Sequence, residues 1–199
     1  MKSIIWSLGL LVLVAVGATV LVWSGAYNIA ADQPHWSLTE DLMETVRDRS
    51  IVARLSGITA PDLGDESLIR VGAGNYDAMC VGCHLQPGED HSELSVGLYP
   101  APPNLSRDKA EDPVEAFWII KHGIKMSGMP AWGKSMEDEY IWGMVAFLQR
   151  LPGMSADQYH ELVEASEGHT HGHADTDDTH DEGATIHAHP DGSQHEHKD

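Results

Sequence analysis

From Ile4 to Trp23 the chain runs twenty residues without a charge, filled largely by leucine and valine. At ~1.5 Å per residue a helix of that length spans ~30 Å, the hydrocarbon thickness of a bilayer. Trp6 and Trp23 stand at its ends, where indole rings favour the headgroup layer. Lys2 precedes the run and the next basic residue is Arg47, so the positive-inside rule keeps the N-terminus in the cytoplasm and exports the rest. Ser24-Gly25-Ala26 also offers a small-x-small cleavage site, the mark of a removable signal peptide. The apolar run exceeds the ~7–15 residues usual for such a signal, and residues 1–26 read as an uncleaved anchor.

Charge is distributed just as unevenly. Of the formal −19, residues 154–199 carry twelve acidic side chains against Lys198 alone. No basic patch exists for phosphate neutralisation, which argues against a nucleic-acid partner. Two cysteines make no disulfide framework. A soluble core must come from residues 65–153, near the low end for unaided folding, so something further should help hold it together.

The exported part reads as helices and loops. Ser37-Leu38-Thr39-Glu40 has the form of a capping box, and Leu42, Met43 and Val46 continue at helical spacing towards Gly57. Residues 27–64 thus read as a helical stalk or linker. Residues 66–84 read as helix, 85–111 as loop. Asp112-Pro113-Val114-Glu115 starts another helix, which Lys121-His122-Gly123 ends. A last helix, from near Glu137, carries Ile141, Met144, Val145 and Leu148 and stops before Pro152. No strand alternation is visible, so the expected class is all-α.

Within this frame Cys80-Val81-Gly82-Cys83-His84 is C-x-x-C-H, the attachment signature of c-type haem. Two thiols three residues apart can each add to one vinyl group of the same porphyrin, and the adjacent imidazole can meet the iron. A zinc site would want a second pair of ligands, and a thioredoxin-like pair a βαβ context. Neither is present. A covalent cofactor would also explain how so small a domain stays folded. The opposite axial ligand is sought in the loop 123–133, where Gly128 and Pro130 hold Met129 out of helix. Met126, read as a packing residue, and His122 are the alternatives.

Residues 65–153 resemble a class I cytochrome c domain. Gly72, Tyr76 and Cys80 fall at i, i+4 and i+8, and the resemblance has the first two crossing the last helix near Met144 and Phe147. The string from Ile120 to Trp132 is similar to the ligand loop of membrane-anchored bacterial monohaem cytochromes. The resemblance implies one covalent haem c on Cys80 and Cys83, with His84 and Met129 as axial ligands. It also implies a backbone carbonyl within 100–103 that accepts the His84 Nδ1–H. Trp132 either reaches a propionate or only packs. Lys109, Lys121, Lys125 and Lys134 form either a docking rim or ordinary solvated surface. The implied protein is not an enzyme, since a ligated Met129 opposes a peroxidase-like open site. It would be a single-pass inner-membrane electron carrier with its haem domain in the periplasm, serving membrane or periplasmic redox proteins.

The last stretch, 154–199, is read as a mostly disordered acidic tail, too poor in apolar residues to offset chain entropy. His169, His171 and His173, then His187 with His189 and His195 with His197, stand two apart and could share Zn, Cu or Ni. An inert solubilising tail is the alternative reading. A metal-handling protein with the haem as redox helper is the alternative function. Truncation after Glu164 is expected to remove cation binding and leave the haem properties unchanged.

Overall fold

The protein is described by a computed structural model that covers residues 2–166 and 168–170, and of the remainder only the backbone of His187–Ala188 and Gln194–His195. The described residues are helical apart from loops and one two-residue antiparallel pairing in the tail, His187 opposite His195 and Ala188 opposite Gln194. Of the expected disordered stretch, residues 167, 171–186, 189–193 and 196–199 lie outside the described residues. Helix α1 (Lys2–Ser24) is long and apolar enough to cross a membrane.

Helix α2 (Ser37–Val52) is not a free stalk. Ile51 at its C-terminal end is buried, and Arg47 and Asp48 lie close enough to Glu115 to act on its carboxyl. At the other end the expected capping box does not form: Trp36 is the N-cap and no side chain caps the helix. Glu40, which would have closed the box, instead accepts the Tyr99 hydroxyl at 3.3 Å. The connection before α2 folds into an aromatic cluster. Tyr27 and His35 share a hydrogen bond at 2.7 Å, the Tyr27 ring sits edge-on to Trp36 at 4.9 Å, and His35 sits edge-on to Tyr99 at 5.0 Å.

The compact part is built on α3 (Glu66–Met79), capped by Asp65, whose carboxylate accepts the Ser67 N–H at 2.8 Å. It runs into the short α4 (Val81–His84). The 85–111 segment contains a helical turn that periodicity did not reveal, α5 (Glu93–Gly97), closed by a reciprocal Ser92–Ser95 box. Helix α6 (Pro113–His122) starts as expected, Asp112 accepting from the Val114 and Glu115 N–H groups at 3.0 and 3.2 Å. Helix α7 (Asp138–Leu148) then crosses α3. The crossing point is Gly72 against Gly143, rather than against Met144 and Phe147 alone. A Cβ on Gly72 would overlap the Gly143 carbonyl and come within 2.9 Å of the Met144 nitrogen. Tyr76 packs one turn on against Phe147, ring centres 5.3 Å apart.

The boundary at 153 needs correction. Helix α8 (Ala156–Glu164), started by a Ser155–Gln158 capping box, packs on α3. It buries Tyr159 completely between Tyr76 and Phe147, and the Tyr159 hydroxyl donates to Asp77 at 2.8 Å. Beyond it the chain still adheres: the Thr170 N–H donates to the fully buried Asn75 Oδ1 at 2.9 Å. A Cβ on Gly74 would crowd Ser166 and Gly168. One short amphipathic helix centred on Tyr159 therefore extends the folded unit well past Pro152.

Candidate haem site

Cys80 caps α3, and its backbone carbonyl accepts the N–H of both Cys83 (3.1 Å) and His84 (2.9 Å). That tight turn places His84 four residues beyond Cys80, on the same helical face. Both cysteines are free thiols. Cys80 touches both apolar clusters of the domain, the one around Tyr76, Phe147 and Tyr159 and the one around Phe117, Ile120 and Met144. Its Sγ lies 4.0 Å from the Met144 sulfur. Burial pushes the Cys80 thiol up to about 12, with the neighbouring Cys83 adding to the shift.

The half-buried His84 ring has its Nδ1 at 3.0 Å from the Pro103 carbonyl oxygen. A carbonyl only accepts, so Nδ1 carries the proton and the lone pair is left on Nε2. Burial lowers the pKa of the imidazole, and the Pro103 bond partly opposes this. The Leu105 N–H returns to the His84 carbonyl at 3.2 Å, locking the proline loop to the attachment helix.

The sequence pattern marks Tyr76 only as a packing aromatic, but its hydroxyl has a second role. It donates to the Leu85 carbonyl at 2.7 Å. Leu85 sits at φ 68°, an unfavourable backbone region for a branched side chain. The bond and the buried Leu85 side chain hold the sharp turn just past His84. Ser92 Oγ likewise donates to the Gly82 carbonyl and clips α5 onto the attachment helix. Neither contact has a local sequence signature, because each joins residues nine or more apart.

The loop after α6 is shaped by its own backbone. Gly123 takes φ 64°, with Pro130 so close that a Cβ would meet it at 2.7 Å. The Ile124 N–H donates to the Met129 carbonyl at 3.2 Å, and the Met129 N–H to Ser127 Oγ at 3.2 Å. The two methionines separate clearly. Met129 is half-buried against the cluster that Cys80 also touches, whereas Met126 is 89% exposed. Trp132 opens a short 3-10 turn (Trp132–Lys134) and packs against that same cluster. His122 is exposed, its ring 4.8 Å from that of Trp118. Lys121 is paired with Asp138 at 2.6 Å, while Lys109, Lys125 and Lys134 are exposed.

Two unbridged thiols, an imidazole presenting Nε2 and a half-buried thioether packed against the cluster that Cys80 touches are donor types that fit haem c. Residues 67–148 match the family model described as cytochrome C oxidase, cbb3-type, subunit III. This stretch is a class I cytochrome c domain. A domain of this kind carries covalently bound haem c and transfers electrons. No curated protein and no solved structure matches the chain. Of the tail histidines, His169 lies within the described residues and only the backbone of His187 and His195 does; His171, His173, His189 and His197 lie outside them. Among the described residues no group of three or more His, Cys, Asp or Glu is placed to hold a metal ion.

Proposed function

We propose that this chain is a monohaem electron carrier, tethered to the inner membrane by α1 and working on the periplasmic side. The observation that carries the reading is the packing of Cys80 and Met129 against one apolar cluster, with His84 one turn from Cys80. Cys80 and Cys83 would hold the porphyrin as thioethers, and His84 Nε2 and Met129 Sδ would ligate its iron. Bound there, haem c supplies a one-electron ferric/ferrous couple.

The chain's own residues tune that couple. The Pro103 carbonyl fixes the His84 ring and makes its Nε2 the better donor. With a thioether and an imidazole as its ligands, the iron would favour the ferrous state, and its potential would lie above that of a bis-histidine site. Phe117, Ile120 and Met144, all buried, keep water from the cluster side. The anchor confines the carrier to a thin layer, raising its effective concentration near membrane redox proteins. Partners of that kind agree with the oxidase-subunit family that the domain matches.

Met129→Ala should abolish the near-infrared sulfur-to-iron band of the oxidised protein and lower its potential, while Met126→Ala leaves the band in place. The reverse pattern would move the ligand to Met126. For topology, a reporter active only in the periplasm, fused after Asp199, should work in intact cells. Recovery of soluble haem protein starting after Ala26 would replace the anchor with a signal peptide.

A further inference from the structure

Helix α2 carries an apolar ridge that nothing in the folded domain uses. Leu38, Leu42 and Val46, at i, i+4 and i+8, are 79%, 59% and 54% exposed. The ridge points away from the domain by helical geometry. Leu38 precedes Arg47, and Leu42 precedes Ile51, by nine residues. At 3.6 residues per turn, nine residues is ~180°, and Arg47 and Ile51 mark the side that meets α6.

The end of the apolar anchor lies near this ridge. Tyr27 is three residues past the end of α1, and its ring stands 4.9 Å from that of Trp36, the N-cap of α2. With the Tyr27–His35 hydrogen bond at 2.7 Å, the 25–36 connection doubles back. Helix α2 therefore begins beside the point where α1 ends. Exposed Ile29 and Trp36 extend the apolar surface along that same connection. The charges on α2 are Glu40, Asp41, Glu44 and Asp48 against Arg47 and Arg49, a net −2, so the attraction available to this helix is apolar.

We infer that α2 lies in the membrane surface, with the Leu38–Leu42–Val46 ridge seated in the headgroup layer of a zwitterionic lipid. This rests on the reading of α1 as a membrane anchor. The haem domain is then held at two places, by α1 and by α2. Because Glu40 and His35 grip Tyr99, four residues before Pro103, the loop that orients His84 is fixed relative to the bilayer. The carrier would present one constant face to its partners instead of tumbling on a string.

The full-length haem protein, reconstituted into phosphatidylcholine vesicles, tests this. Cys80 and Cys83 are consumed as thioethers, so single cysteines at Leu42→Cys, Val14→Cys and Asp157→Cys can each take an environment-sensitive fluorophore. Quenchers are lipids spin-labelled near the headgroup or deep in the acyl chain. The Leu42 label should be quenched several-fold more by the shallow probe than the Asp157 label on α8, and the Val14 label by the deep probe. Deep quenching at Val14 with a Leu42 label no more quenched than Asp157 overturns the inference and leaves the anchor standing; the ridge would then await a protein. An unquenched Val14 label overturns the anchor itself.

Discussion

Helix α3 is gripped on two sides by different means. Against α7 it is held by missing side chains, Gly72 meeting the Gly143 backbone so that the helix axes come close. Against α8 and the strap behind it, a buried ring is joined by hydrogen bonds: Tyr159 packs on Tyr76 and Phe147 and donates to Asp77, and the Thr170 backbone N–H donates to the Asn75 side chain. The first grip leaves no room for adjustment, because the obstacle to any added atom is backbone. The second is assembled from separable contacts, one buried ring and two hydrogen bonds, each of which can be lost without the others. The α7 side should therefore fail all at once, and the α8 side by degrees.

Gly72→Val is the severest test. Its Cβ alone would overlap the Gly143 carbonyl whatever the rotamer, so the cost should exceed the ~1–3 kcal/mol of ordinary overpacking. No haem-bearing protein should accumulate. Wild-type yield and melting temperature would show that the crossing is loose. Next comes Tyr159→Ala, which empties a fully buried ring site between Tyr76 and Phe147 and should cost ~3 kcal/mol. Thermal unfolding should shift down while the sulfur-to-iron band survives, since α8 supplies no ligand. An unchanged melting temperature would detach α8 from the folded unit.

The same contrast explains which features are legible in the sequence. The α6 start at Asp112-Pro113 and the cysteine motif are local signals, written in residues three or four apart. The crossing at Gly72 and a carbonyl within 100–103 beside His84 are implied by the family resemblance. Gly143 is absent from the sequence expectations, although a glycine within an apolar helical stretch is itself a signal of close approach. Ser155-x-x-Gln158 is likewise a readable capping box, masked by the acidic composition C-terminal to it. The Asn75–Thr170 bond has no signature, because it joins residues 95 apart. Glu40 shows the converse failure: a local pattern is present, and a tyrosine 59 residues away captures the carboxylate.

That long-range bond changes where the tail should be cut. A truncation after Glu164 removes Ser166 and Thr170 and leaves the buried Asn75 Oδ1 without its N–H donor, costing ~1 kcal/mol or somewhat more. The loss is moderated because Asn75 Nδ2 already lacks a partner among the described residues. Potential and spectrum should stay put while the melting temperature falls by a few degrees, ~4–8 °C per kcal/mol for a domain of this size. If Asn75→Ala in the full chain shows no comparable fall, the strap contributes nothing and the two grips differ less than their geometry indicates.

The smallest effect on the fold is expected from a cut after Thr170, which keeps the strap and removes residues 171–199. We propose that this remainder binds borderline cations, through His171 with His173, His187 with His189 and His195 with His197, each pair two residues apart. The full chain should bind Zn or Cu at neutral pH, and the cut chain should lose most of that binding with its melting temperature and potential unchanged. Binding should weaken steeply below ~pH 6, as imidazoles take up protons and stop offering lone pairs. Calorimetry that finds no cation binding to the intact protein at neutral pH would make the tail a solubilising segment. A cut after Thr170 that slows reduction by the membrane donor would instead make it a docking element. In that case residues 171–199 serve the route of electrons, while α8 and the strap, which the cut leaves in place, serve the stability of the fold.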